Sequence, residues 1–445
     1  MAVSFFLFQI LHSWWWFFFP ILTFFLWKIF YFWWINWEVY YPRAFRWILL
    51  EIKPPKEVLK PFSAMEDVFT KLFGIIDVPC WRERWCGGLP FICGGGYFTF
   101  EICSFGGEIH FYMRIPDFFK NTAMATIFSN YPDAEIFEVE DYTKKVPKDI
   151  PNEKWDLYSE DQVVAQKDYY PIKTYSMFFE RETEEKRAIE EKRLDPMNQL
   201  LEALSRFSSG EQAWIQIGCN PIVEVTYPLV KEAKKEIDRL ARRASPPAPK
   251  SMPQEVFQTL VVGPTGKAEK PLELIAPELR LTPLEREILT AVENKIKKPL
   301  YETWIRILYL CKKDEPHFYG NYKLIRGYFE GQFMTAHLNR FAHFGGTRTR
   351  IHYWFKRRRL YLRKRQRFRE YLERLPAYFP WNFKGDPPPF IKMIFYRVGP
   401  GRRSVSLLST EELATIFHFP IKPVVPTLPT VEVKKVGPPP TLPTE

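Results

Sequence analysis

The stretch Tyr97–Tyr142 leaves the chain few ways to fold. Phe98, Phe100 and Ile102 alternate with Thr99 and Glu101, the period-2 pattern of a half-buried strand. Gly106-Gly107 predicts a tight turn, because glycine reaches positive φ at no steric cost. On the return strand Ile109, Phe111, Met113 and Ile115 face one way, and Glu108, His110, Tyr112 and Arg114 the other. Pro116-Asp117 then opens a helix with Phe119, Ala123 and Ile127 at helical spacing. Pro132-Asp133 stops it, and Ile136, Phe137 and Val139 supply a further strand. The polar face of this stretch gathers no acid, base and nucleophile, and His110 is a lone histidine on it. These residues read as a scaffold rather than an active site.

The preceding residues extend the pattern. Phe45–Lys53 predicts a strand with Ile48, Leu50 and Ile52 on one face, ended by Pro54-Pro55. Ser63-Ala-Met-Glu66 is a capping-box sequence, and Met65, Val68, Phe69 and Leu72 follow on one helical face, with Gly74 to close it. The order over residues 44–143 becomes β-α-β-β-α-β, the ferredoxin-like arrangement. Pro79–Gly96, between the first helix and the second strand, carries Cys80, Cys86 and Cys93. Their gaps of five and six, with no histidine nearby, do not fit a zinc site, so a loop with incidental thiols is expected.

A weaker copy of the order follows over residues 165–345. Tyr169–Glu180 predicts a strand through Tyr175, Met177 and Phe179, and Glu180–Arg193 is a mixed-charge run. Asp195-Pro196 starts a helix whose buried face is Leu200, Leu201, Leu204 and Phe207. Gly210 ends it, and Ala213, Ile215 and Ile217 form a strand. An insertion at about 228–298 then comprises a basic helix (Pro228–Arg243), a proline-rich linker (Ser245–Pro253) and a helix capped by Thr282-Pro283-Leu284-Glu285. Tyr301–Lys312 is the next strand, Asn321–His337 a helix broken by glycines, and a last strand is indistinct. The remainder divides into a basic helix (346–375), a small C-terminal segment (376–418) and a proline-rich tail (419–445).

From Ala2 to Trp27 there is no formal charge, and the apolar character runs past Lys28 to Trp34. A bilayer span needs about 20 predominantly apolar residues. A membrane anchor over residues 1–37 is therefore expected, centred on Trp14, Trp15, Trp16, Phe17, Phe18, Phe19, Leu22, Phe24, Phe25 and Leu26. Pro20 would kink the helix or divide it into a re-entrant hairpin. A signal peptide wants a basic start and a small-residue cleavage site, which are missing, and a core helix rarely carries so many aromatics. Arg43, Arg46, Lys53, Lys56 and Lys60 follow the run, so the positive-inside rule places the bulk of the chain in the cytoplasm, behind one span of the inner membrane.

The net charge of +11 calls for an anionic partner. Eleven cations lie between Arg348 and Arg369 without one acid: Arg348, Arg350, Lys356, Arg357, Arg358, Arg359, Arg363, Lys364, Arg365, Arg367 and Arg369. Tyr353, Trp354, Phe355, Tyr361 and Phe368 are interleaved. The run reads either as a solvated helix face or as a contact for anionic lipid or nucleic-acid phosphates, lipid ahead of DNA. Gly263-Pro-Thr-Gly266-Lys267-Ala268 imitates a phosphate loop, but has two residues between its glycines instead of four and Ala268 where the magnesium-binding hydroxyl belongs. No nucleotide, metal or other cofactor is expected, and no catalytic residue.

Several stretches resemble a known family: Glu51-Ile-Lys-Pro-Pro-Lys-Glu-Val-Leu59, Gly107-Glu-Ile-His-Phe-Tyr112, Tyr131-Pro-Asp-Ala-Glu-Ile136, Glu138-Val-Glu-Asp-Tyr-Thr143, Ser409-Thr-Glu-Glu-Leu-Ala-Thr415 and His418-Phe-Pro420. They resemble the membrane-anchored N-terminal region of conjugation-type, type IV secretion ATPases from bacteria of reduced genome. In that family the region precedes a RecA-like motor of the FtsK/HerA class and has no established catalytic residues. The resemblance implies an α+β, non-catalytic platform, forming a homo-oligomer and working with a motor ATPase supplied in trans, since the chain stops at Glu445 before any motor. The alternative is a membrane-tethered DNA-binding protein that uses the basic run.

Overall fold

The computed structural model describes residues 13, 16–17, 19–27, 30, 46–55, 58, 61–75, 97–178, 195–222, 229–241, 281–335, 337–351, 354–374 and 404–420. They form an α+β body around one antiparallel sheet. Its strands are β1 (Trp47–Lys53), β2 (Phe98–Phe105), β3 (Glu108–Pro116), β4 (Glu135–Val139), β5 (Trp155–Val164), β6 (Glu211–Pro221), β7 (Leu300–Lys312), β8 (Phe341–His343) and β9 (Ser406–Ser409). The lateral order is β4-β1-β3-β2-β6-β7-β5-β8, and β9 pairs with the start of β7. Read from the centre outward, each half repeats one order: second, third, first and fourth strand of its own set. The halves join where β2 lies antiparallel to β6, from Phe98↔Cys219 to Phe105↔Gln212.

The alternation along the strands fills two cores. On the front face Leu50, Phe98, Phe100, Phe111, Ile215 and Ile307 belong to one continuous cluster. Ile136 packs against it, so Phe98, Phe111 and Ile136 share one sheet core as the pattern in the first half demands. Helices α1 (Pro61–Leu72), α2 (Lys120–Asn130), α3 (Pro196–Ser205) and α6 (Tyr322–Gly327) cover this face. On the back face Leu49, Tyr112, Leu157, Trp214 and Leu308 meet Phe368 and Tyr371 of α7 (Lys356–Glu373). The β2–β3 turn uses both glycines at positive φ (Gly106 +60°, Gly107 +94°), and a Cβ on Gly107 would stand 2.8 Å from the Ser205 carbonyl oxygen.

The last described segment closes the front. Helix α8 (Thr410–Ile416) is capped reciprocally by Ser409 and Glu412. Phe417 stacks on Phe100 at 4.6 Å, Tyr328 donates to the Ile416 carbonyl, and His418 Nε2 lies 2.8 Å from Asp195 Oδ1. Glu412 is fully buried 3.0 Å from the Lys295 ammonium. Lys295 belongs to α5 (Pro283–Ile296), which with α4 (Leu229–Leu240) packs on Tyr169, Ile222, Leu300 and Leu407 in a small satellite core. Its Thr282–Glu285 capping box forms as the sequence predicts, and Asp195 caps α3 through Met197 N.

Three expectations need correction. The strand opening the second half is Trp155–Val164, and Tyr169–Phe178 is irregular apart from a 3-10 turn at Tyr175–Met177. Helix α1 starts at Pro61, so Ser63 is inside it. Glu66 pairs instead with Lys298 and accepts from Tyr175 Oη, both at 2.7 Å. The indistinct last strand is β8, after α6 continues through a π-turn at Tyr328–Gln332. Cys80, Cys86, Cys93, the Glu180–Arg193 run, Ser245–Pro253, Gly263–Ala268 and residues 421–445 lie outside the described residues.

At the N-terminus Ser13, Trp16, Phe17, residues 19–27 and Phe30 are helical and exposed. Trp14, Trp15 and Phe18 lie outside the described residues. Among the described residues no helix is long and apolar enough to cross a membrane. The expected transmembrane helix therefore rests on the sequence, without support from the structure.

Candidate anionic-surface interface

Helix α7 carries most of the basic run and is seated by charge. Its buried stripe is Lys364, Arg367, Phe368 and Tyr371, at i, i+3, i+4 and i+7. Phe368 and Tyr371 supply apolar contact with Trp214. The cations of the stripe, Lys364 and Arg367, point into the sheet, where β5 meets them with acids. Lys364 Nζ lies 2.6 Å from Asp156 Oδ1. Arg367 pairs with Glu370 of its own helix and comes within 3.4 Å of Asp161, which also holds Arg306 of β7 at 3.2 Å. Burial lowers the pKa of Arg306 and the charge of Arg367 adds to the fall, while Asp161 and Glu370 oppose it.

The C-terminal end of α7 is locked at the seam between the halves. Arg374 takes the left-handed conformation (φ 54°) usual for glycine after a helix. Its guanidinium donates to Glu101 Oε1 at 2.8 Å and to Asp141 Oδ2 at 2.7 Å. Tyr142 Oη donates to Glu101 at 2.7 Å and shares a 2.6 Å contact with Tyr371 Oη, and Gln216 Nε2 donates to Glu101 at 3.0 Å. Burial opposes ionisation of Glu101, but Arg374, Tyr142 and Gln216 outweigh it and hold the carboxyl below its usual range. Asp141 behaves alike, its burial overcome by Arg374 and by the Thr143 N–H. Four cations here (Arg306, Lys364, Arg367, Arg374) face five carboxylates (Glu101, Asp141, Asp156, Asp161, Glu370).

The other end of the helix is different. Lys356, Arg357, Arg358 and Arg359 are all exposed. Four consecutive residues sweep a whole turn, so the first turn of α7 stands clear of the body. Arg350, Arg365 and Arg369 are exposed as well, and Arg365 donates to Tyr361 Oη at 2.9 Å. Among the described residues none of these seven cations has a carboxylate partner. Trp354 is 86% exposed and Phe355 80%, and Phe355 is held at φ 56°. Tyr361 and Leu362 are exposed on the next turn.

Of the eleven cations expected to act together, the structure thus keeps seven at the surface. Lys364 and Arg367 are buried. Arg348 and Arg363 are half-buried, Arg348 donating to Tyr158 Oη at 3.1 Å and Arg363 to the Arg348 carbonyl at 3.0 Å. These four serve the fold, a correction to the reading of the run as one surface. His110, expected as a lone exposed histidine, is 2.6 Å from Glu51 Oε1 and stacks on Tyr112. Sequence reasoning missed Arg374, Glu101, Asp161 and Arg306. The available signal was four charged residues at positions that alternation assigns to the back face of strands or to a helix end. Among the described residues no group of three His, Cys, Asp or Glu side chains could hold a metal ion. No protein-family model and no curated protein matches the chain.

Proposed function

We propose that the protein is a membrane-anchored, non-catalytic platform of a type IV secretion or conjugation-like translocation system, working with a RecA-like ATPase on a separate chain. The observation that carries this reading is that the stretches resembling that family meet in space. Phe111, Tyr131 and Phe419 come from three of them, and Phe419 packs edge-on to the other two rings at 5.4 and 5.0 Å. Ile52 and Leu413, from two more, lie in the same core. Five of the six resembling stretches thereby share one core. In this reading each half of the sheet is a ferredoxin-like unit, the two joined through their second strands, and the anchor sits in the inner membrane with the body in the cytoplasm as a homo-oligomer. The charged side chains brought together by the fold link one element to another, as a load-carrying platform requires.

The test is co-purification from native membranes. The expected result is membrane retention after alkaline extraction and capture of a RecA-like ATPase, while the purified chain itself shows no ATP turnover. A C-terminal alkaline phosphatase fusion should stay inactive in cells. Finding neither a captured motor nor membrane retention would sink the proposal. Turnover that disappears in Lys267→Ala would place a nucleotide site at Gly263–Lys267. The seven exposed cations favour a second reading, a membrane-tethered DNA-binding protein. It requires duplex DNA binding that falls steeply with salt.

A further inference from the structure

We infer that the overhanging first turn of α7, together with Trp354 and Phe355, is a second membrane contact that docks on anionic phospholipid headgroups. The inference rests on the membrane tether of the proposed function and adds the surface by which the body lies against the bilayer.

Two observations converge. The first is charge without partners: Lys356–Arg359 stand free of carboxylates, although the same helix satisfies Lys364 and Arg367 with acids from the sheet. The second is the pair of large apolar side chains at the same place, with Leu362 about two turns on. Cations beside exposed Trp, Phe and Leu are the composition of a segment lying in the interface between headgroups and acyl chains. Tryptophan favours that depth because its ring is amphipathic. The buried half of α7 is fixed by ion pairs to β5, so the surface is presented on a rigid support and little order has to be gained on binding. An apolar N-terminal run on the same chain keeps anionic headgroups at high local concentration.

The experiment is hydrogen–deuterium exchange on the full chain reconstituted in phosphatidylserine-containing bilayers and in neutral phosphatidylcholine bilayers. Residues 354–363 should exchange about tenfold more slowly in the anionic bilayer, and the difference should vanish in about 1 M salt, where the Debye length is near 3 Å. Each headgroup contact by a cation is worth about fivefold in affinity. Charge reversal of Lys356, Arg357, Arg358 and Arg359 should therefore abolish the protection, while residues 364–374 keep theirs and report an intact fold. Trp354→Ser with Phe355→Gly should reduce it without touching charge. Equal exchange in the two bilayers overturns the inference. Protection by duplex DNA with none by anionic bilayers overturns it in favour of nucleic acid. If the chain incorporates into neither bilayer, the tether reading falls. Sedimentation with preformed phosphatidylserine vesicles then decides, binding supporting the contact and its absence overturning it.

Discussion

The two ends of α7 are both rich in cations and have opposite roles. Between Lys364 and Arg374 each buried cation meets a carboxylate from the sheet, from the following segment or from the helix itself. Between Lys356 and Arg359 none does, and the turn projects beyond the body. A run of cations therefore has no function of its own. What stands opposite decides whether it is structure or surface.

Four measurements test this contrast, and the largest effect belongs to the locked end. Arg374→Met strands the buried Glu101 and leaves the half-buried Asp141 unpaired. Breaking a buried ion pair from one side costs about 3–5 kcal/mol, read as a lower denaturation midpoint. Adding Glu101→Gln should recover part of the loss. If Arg374→Met alone is neutral, the seam is not held by charge.

Acid should unlock the same end. Glu101 and Asp141 have folded pKa values below their unfolded ones, so their contribution is full above about pH 5 and is lost as pH falls through the folded values. Exchange protection of residues 364–374 should decline on acidification before the front core opens. Uniform loss would remove the distinction.

At the exposed end the signs reverse. Phe355 is held in a left-handed conformation without buried contacts to offset it, so Phe355→Gly should stabilise the fold by about 1 kcal/mol. Lys356→Glu or Arg357→Glu should each raise the denaturation midpoint slightly, about 0.3–1 kcal/mol at low salt, because cations in a first helical turn oppose the macrodipole. A destabilising outcome for both would show that this turn has structural partners.

The same contrast explains what was legible. The first half of the sheet could be read because β1 and β3 alternate cleanly, and their apolar residues fill the front core. Strand β5, Trp-Asp-Leu-Tyr-Ser-Glu-Asp-Gln-Val-Val, could not. Its acids look solvated, yet Asp161 is buried against Arg306 and Arg367, and Glu160 against Arg326. Thr347 and Thr349 further satisfy N–H groups of its outer edge. Tyr169–Phe178 resembled a strand, but its backbone donates to Glu412 and Thr415 of α8 instead of to a ladder. The basic run was visible as a run. Its division was not, because the acids that claim its second half lie some 200 residues upstream (Asp156 with Lys364, for instance).

The closing segment from Ser404 to Pro420 sets the order in which the molecule can be made. Its partners are already spaced along the chain at Glu66, Ile172, Asp195 and Lys295. During synthesis those groups must wait, the carboxyl of Asp195 and the ammonium of Lys295 among them, until His418 and Glu412 have been translated. The front core cannot be finished piecemeal, half by half. Contacts so distant in sequence make folding slow, since the loop between them must close before they stabilise anything. A nascent chain of this protein therefore shows an open, partly apolar cleft for most of its time on the ribosome, and becomes resistant to proteolysis in a single late step.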